Sequence, residues 1–496
     1  MPVRHNLTEG PIARTLFAFA LPILGGNVLQ SLNGSINAVW VGRFLGEQAL
    51  TATANANNVM FLLLGAVFGV GMAASIHVAQ AIGRNDLKQA RCVIGTSATF
   101  FIGLSVVIAA IGMPAARHVL VWMDTPPAAL PFAEAYLRII FLALPFLYAF
   151  TFVTAILRGS GDTRTPFLFL LLAVALDIGL NPVLLFGLGP FPRMGIAGAA
   201  TATLVANALS LAALLFWLRH RRHRLWISRH DRALYAPNLT VLKSLISKGV
   251  PIGLQLMLIS MAMLAMITMV NRHGVATTAA YGAALQLWTY VQMPAMAIGA
   301  ACSSMAAQNV GADRWDRVHQ TAKSGVLFNF LMTGALIVPL IVFDRHTLSL
   351  FLPDGSPALA EAIHLNPIVV SSFLFFGVTF VLSGVVRATG AVIPPLIILA
   401  LALWGVRVPF ASLLQPSLGA DAIWWSFPAS ALVSMLLSVL YYRYGGWRRA
   451  RMLPAAAEEV AIPAEVPAQV TAPVADIGPT TEPETPAYAA ASAVRK

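Results

Sequence analysis

Charged side chains are scarce in this chain of 496 residues: 10% are Asp, Glu, Lys or Arg, where an ordinary soluble domain carries about 25%. Together with 58% apolar residues, that scarcity excludes a soluble α/β enzyme and a disordered protein. Cysteine is nearly missing. Cys92 and Cys302 cannot build a disulfide framework, and both lie in or beside apolar segments, where a thiol behaves as a small hydrophobe. HExxH, GxSxG and Walker A signatures are absent, so no enzymatic activity, no resident metal, no cofactor and no built-in ATP site are predicted. His77 is a lone histidine without a metal-spaced partner. Acids are the rarer charge, 20 against 32 basic residues, which leaves +12 at pH 7. What fits is a polytopic membrane protein.

Crossing about 30 Å of hydrocarbon takes roughly 20 apolar residues as a helix. Twelve runs qualify, at 14–41, 50–80, 91–115, 133–157, 165–187, 195–218, 244–270, 277–308, 320–343, 362–386, 392–413 and 421–442. They do not alternate apolar and polar residues as barrel strands do, so an all-α fold is predicted. The first run follows the polar segment MPVRHNLTEG and is too long for the apolar region of a cleaved signal. The expected organisation is a short segment 1–13, a six-helix bundle 14–218, a basic linker 219–243, a second bundle 244–444 and a tail 445–496. That tail begins basic and then turns rich in Ala, Pro, Val and Glu, a composition that does not bury enough surface to fold.

The termini and the loops after even-numbered runs hold all but seven of the 32 basic residues; the seven are Arg43, Arg117, Arg138, Arg193, Arg272, Arg345 and Arg407. Both ends are therefore predicted to be cytoplasmic, in a bacterial inner membrane. The basic surplus reads as this topology signal plus attraction to anionic lipid, and no nucleic-acid partner is expected.

The halves resemble each other at an offset near 228 residues. GMAASIHVAQAIGRND at 71–86 matches GAACSSMAAQNVGADR at 299–314, aligning Gly71 with Gly299, Gln80 with Gln308 and Gly83 with Gly311. LRGSGDTRTP at 157–166 matches VRATGAVIPP at 386–395, aligning Arg158 with Arg387 and Gly161 with Gly390. Six spans per unit is an even number, so the repeats insert in parallel, related by a pseudo-twofold axis along the membrane normal. Parallel repeats are a transporter architecture.

Ionisable groups at membrane depth are costly and mark function. Nearly all carboxylates sit in loops, at span ends or in the tail; Asp177, in LLLAVALDIGLNPVLLFG, is deep, with Asn181 one turn later on the same face. A carboxylate so placed can take a proton on one side and release it on the other. Gln30, Asn33 and Asn37 form a polar stripe on the first span, and Pro22 upstream is expected to kink or loosen it. Thr203 and Asn207 on the sixth span complete a polar lining for the first half. In the second half, Gln255 and Met257, and Gln286, Tyr290 and Met293, suit a pocket for flat apolar cations.

The early Pro22, VGRFLGEQAL at 41–50, VAQAIGRNDLKQAR at 78–91, LRGSGDTRTP, and LNPVLLFGLGPFPRMGIAGAATAT at 180–203 resemble the multidrug and toxic compound extrusion (MATE) family, over about residues 10–450. The resemblance implies a monomeric antiporter that exports small cationic or amphiphilic molecules against H+ or Na+. Members often carry an Asp in the first span where this chain has Asn37. One branch has an Asn and then an Asp in the fifth span, whereas this chain reads Asp177 then Asn181. Acids of the Na+-coupled branch in spans 7 and 10 have no counterpart. A lone carboxylate suits a proton better than a hard cation that wants several oxygens, so H+ coupling through Asp177, Asn181, Asn37 and Asn33 is expected. The alternatives are a Na+-coupled exporter of the same family and a lipid-linked oligosaccharide flippase.

Overall fold

In hydrocarbon each backbone N–H and C=O has to be satisfied within its own segment, and unbroken apolar runs therefore fold as helices. The computed structural model describes residues 7–227 and 234–452. Its helices are α1 (Ile12–Leu45), α2 (Glu47–Gly83), α3 (Leu87–Trp122), α4 (Leu130–Gly159), α5 (Arg164–Phe186) and α6 (Ile196–His220) in the first half. The second half holds α7 (Leu239–Asn271), α8 (Val275–Gly311), α9 (Trp315–Val342), the five-residue α10 (Asp344–Leu348), α11 (Pro357–Arg387), α12 (Ile393–Leu418) and α13 (Asp421–Tyr444). Residues 1–6, residues 228–233 of the basic linker and the expected tail beyond Met452 lie outside the described residues.

Among the described residues, ten helices are long and apolar enough to cross a membrane by themselves. In α2 the apolar stretch so described is shorter, Val67–Gly83, and α8 is diluted by Gln286, Gln292, Gln308 and Asn309. Both lie where the halves meet, α2 packing on α7 and α8, and α8 packing on α1 and α2. α1 continues as a helix through Pro22, where the sequence predicts a kink or loosening. Polar side chains start several helices: Asp86, Asn238 and Ser356 accept from the backbone of the first turns of α3, α7 and α11.

The repeat is visible in the backbone. Gly195 (φ 55, ψ −132) precedes α6, and Gly419 (φ 58, ψ −134) precedes α13, the same conformation at equivalent places and one that a Cβ resists. Asn85 and Asp313 take φ 60 and 56 in the turns after α2 and α8. All described residues belong to one compact unit. Its main core runs from α1–α4 into α8, α9 and α11, and a second, aromatic-rich core fills the C-terminal half around Tyr281, Trp288, Trp424 and Phe427.

One expectation needs correction. Arg407, counted among the charges opposite the basic end, lies in the middle of α12 and closes a π-helical stretch, Leu401–Arg407. The basic stretch after α13 forms a 3₁₀ turn, Gly446–Arg449, with Trp447 1% exposed and its carbonyl accepting from Thr389 Oγ1 at 2.8 Å.

Candidate functional site

Three neighbouring helices each offer a polar pair at i, i+4 spacing: Asn33 and Asn37 on α1, Asp177 and Asn181 on α5, and Thr203 and Asn207 on α6. α1 and α5 come close because Gly25 and Gly26 face Phe167 and Leu170. Residues four apart share a helix face, and this packing brings Asn33, Asn37, Asn181 and Thr203 together around Asp177.

Asp177 is 3% exposed at mid-helix. Its Oδ2 accepts from Asn33 Nδ2 at 2.8 Å and from Asn37 Nδ2 at 2.9 Å, and its Oδ1 accepts from Thr203 Oγ1 at 3.0 Å. Asn181, fully buried, donates to Asn37 Oδ1 at 2.7 Å, and Asn207 donates to the Thr203 carbonyl at 2.8 Å. A carboxylate surrounded by donors is the hydrogen-bonding pattern of the ionised form, which only accepts. Two amide oxygens of the same cluster, Asn33 Oδ1 and Asn181 Oδ1, are buried without a partner among the described residues. Tyr136 of α4 is near enough to interact with the charge, a neighbour that sequence inspection missed because a tyrosine in an apolar run carries no positional signal.

The remaining predicted residues separate. Gln30 on α1, Gln286 and Tyr290 are exposed, and Met257 is half-buried. Met293 is packed inside. Gln255 is buried, accepting from Arg387 Nη1 at 2.8 Å, a bond between α7 and α11 rather than a position in a shared pocket with the others. His77 is likewise a bridging residue, its Nε2 3.0 Å from Ser244 Oγ.

The best-matched residues of the repeat meet each other at the basic end. A Cβ at Gly83 would lie 2.0 Å from the Gln308 carbonyl oxygen, and one at Gly311 would lie 2.1 Å from that of Gln80. Gln80 Nε2 donates to the Ala388 carbonyl at 2.6 Å, and Gln308 Nε2 donates to the Gly159 carbonyl at 2.8 Å. The segment before α1 joins this clasp: Leu7 N donates to Gln308 Oε1 at 3.3 Å, Asn309 Nδ2 to the Leu7 carbonyl at 3.1 Å and Arg314 Nη1 to the Thr8 carbonyl at 2.6 Å. Among the described residues, the hydrogen bonds between halves cluster here, so the molecule is closed at its basic end. α1 therefore links two places, carrying two donors of the Asp177 site while its N-terminal lead is tied to the other half.

Comparison with known proteins gives the same duplicated helical fold. A family model described as MatE matches residues 22–183 and again 251–413. The chain is 36% identical over 444 residues to a probable multidrug resistance protein, YoeA, of Bacillus subtilis (strain 168), covering 89% of this chain and 96% of that protein. It is 32% identical to another from the same organism, YpnP, covering 90% and 98%. A crystal structure of MATE in the straight conformation superposes with a TM-score of 0.83 at 21% identity, covering 89% of this chain and 98% of that one.

Proposed function

The chain belongs to the MatE family, and on that premise we propose that it is a secondary multidrug efflux antiporter, exporting small cationic or amphiphilic compounds in exchange for H+ by alternating access. The observation that carries the proton assignment is Asp177: a buried, mid-membrane carboxylate with three hydrogen-bond donors and no cationic partner among the described residues. The names of the relatives support the export reading. The excess of Lys and Arg at the clasped end supports a multi-pass protein of the bacterial inner membrane with both termini cytoplasmic. Functioning as a monomer is what the family resemblance implies.

Proton uptake turns one oxygen of Asp177 from acceptor into donor. If that oxygen is Oδ2, it faces two N–H donors from α1, and one amide has to rotate; Asn33 Oδ1, free of protein partners, is the acceptor that rotation offers. If it is Oδ1, the contact with Thr203 is rearranged instead, and the α1 bonds lose their charge assistance. Either way, protonation loosens α1 from α5. Because the lead of α1 is tied to Gln308, Asn309 and Arg314, loosening it weakens the clasp that closes the cytoplasmic side. The proton thus acts by its different affinity for two arrangements of the halves, the condition any coupling ion has to meet.

Sodium coupling is the second reading. The carboxylate and the two unpartnered amide oxygens are ligands a hard cation would use, although one carboxylate gives it a weak charge. A lipid-linked oligosaccharide flippase has less support, since such cargo calls for several cationic residues along one groove. The experiment is ethidium movement in vesicles containing the purified protein, with an imposed pH gradient, an imposed Na+ gradient, or neither. Export driven by the pH gradient alone is the expected result. Export that follows only the Na+ gradient overturns the proton assignment, and no gradient-driven movement overturns the antiporter.

A further inference from the structure

The C-terminal half holds a charge of the opposite sign. Arg407 lies mid-way along α12, at the end of the π-helical stretch, a distortion that is frequent at functional sites. Its Nε donates to Ser430 Oγ at 2.9 Å, and its Cζ stands 4.3 Å from the centre of the Phe427 ring. Ser430 and Phe427 are 1% and 4% exposed, so one edge and one face of the guanidinium are held by the interior of α13. Among the described residues the two terminal nitrogens have no hydrogen-bond partner, and they are not sealed off. The Phe427 ring meets Trp288 at 5.9 Å, and in that aromatic cluster Tyr281 of α8 is 2% exposed, its hydroxyl without a partner among the described residues and its ring packed against Trp288 and Trp424 at 5.7 and 5.8 Å.

Among the described residues no carboxylate pairs with Arg407; Glu361 accepts from Thr277 and Asp421 from His364 instead. An intramembrane guanidinium is costly, and a carboxylate or phosphate is the group its donor fork matches. Held rigidly by Ser430 and Phe427, it repels cations and is organised in advance for an oxyanion.

We infer that Arg407, with Tyr281, forms a subsite in the C-terminal half for the carboxylate or phosphate of an amphiphilic molecule. That this molecule is exported cargo rests on the export reading above. The transporter then recognises charge of both signs, with the acid in one half and the base in the other, and zwitterionic or acidic amphiphiles join its substrates.

The test is binding, without any gradient, to the full chain in phosphatidylcholine nanodiscs. The probes are 2-naphthoate and its neutral counterpart 2-naphthylmethanol, followed by calorimetry and by quenching of tryptophan fluorescence. Wild-type protein is expected to bind the carboxylate at least about tenfold tighter than the alcohol. Arg407→Gln should erase that preference and Arg407→Lys should retain part of it. Ser430→Asp, which leaves the guanidinium in place but supplies an internal carboxylate, should erase it as well, so the inference stays testable if Arg407→Gln does not fold. Equal binding of the two probes, or a preference that survives both Arg407→Gln and Ser430→Asp, overturns the subsite. Displacement of naphthoate when phosphatidylglycerol replaces part of the phosphatidylcholine assigns the subsite to a lipid headgroup and overturns the cargo assignment. Failure of the export reading alone would leave naphthoate binding intact while abolishing gradient-driven movement.

Discussion

Replacing Asp177 with Asn keeps the shape of the side chain and removes its proton chemistry. The new amide can keep its oxygen toward Asn33 and Asn37, where two donors need an acceptor, and turn its NH2 toward Thr203, whose hydroxyl can accept. A hydrogen bond to a charged group contributes about 1.5–3 kcal/mol and one between neutral groups about 0.5–1.5. The two α1 attachments together therefore weaken by about 2–3 kcal/mol, a shift of roughly 30- to 150-fold in any equilibrium they bias. Removing a buried charge offsets much of this in overall stability, so Asp177→Asn should insert and purify like wild type. Transport should behave otherwise. One proton moving down one pH unit supplies about 1.4 kcal/mol, enough to hold a tenfold cargo gradient. In vesicles under one unit of imposed pH difference, wild-type protein should approach such an ethidium gradient, and Asp177→Asn should relax to equal concentrations. A variant that sustains the wild-type ratio would refute the argument, because among the described residues no second carboxylate joins the Asp177 site.

Further outcomes follow from the same geometry. Gly83→Ala places a methyl group 2.0 Å from a backbone oxygen of the other half, so it should force the clasp apart and raise labelling of cysteines introduced at the basic end; Gly311→Ala should do the same by symmetry. Gln308→Ala removes the bond to Gly159 and the one from Leu7, and should shift the balance away from the closed basic end by about 2 kcal/mol, some 30-fold, in distances measured between spin labels. Asn366→Leu leaves Trp288 Nε1 and the Leu340 carbonyl, now bonded at 3.0 and 3.1 Å, without partners inside the C-terminal core, and should lower thermal stability by about 2–4 kcal/mol. His223, in the segment after α6, is held below its ordinary value by burial, with a smaller opposing effect from Asp162 and a further lowering by Arg224. Its neutral Nδ1 accepts from Leu225 N at 3.3 Å. The unfolded chain takes up that proton first, so the contribution of His223 is present above about pH 6.5 and declines as pH falls below it. His223→Gln should flatten the acid side of a plot of Tm against pH; an unchanged slope would remove His223 from the account.

The pairing of residues across the repeat shows how far linear pattern reaches. Gln80 with Gln308 and Gly83 with Gly311 are visible as matched letters, yet letters do not say that each pair touches across the molecular axis. That contact exists because a twofold relation brings equivalent helix ends together, and there a glycine is needed on both sides. Gln255 and Tyr290 illustrate the opposite outcome. Both looked like pocket residues from their chemistry, but the rotation of each helix about its own axis decided that one bonds Arg387 and the other is exposed. Arg407 misled for a related reason. Counting basic residues by side of the membrane put it with the loop charges, although the run 392–413 already contained it, and the structure holds it mid-helix against Ser430 and Phe427.

Composition and periodicity by themselves determined the all-helical membrane fold, the two parallel repeats and the isolation of Asp177 at depth, because hydrocarbon punishes unpaired backbone and stray charge so strongly that few sequences satisfy it. Helix spacing even placed Asn33, Asn37, Asn181 and Thr203 on usable faces. Which faces meet was left to tertiary packing. The three bonds on Asp177, the reciprocal clasp at the basic end and the aromatic seat of Arg407 all join residues tens to hundreds of positions apart, and the interdigitation of side chains between helices, which no local pattern encodes, selects those partners.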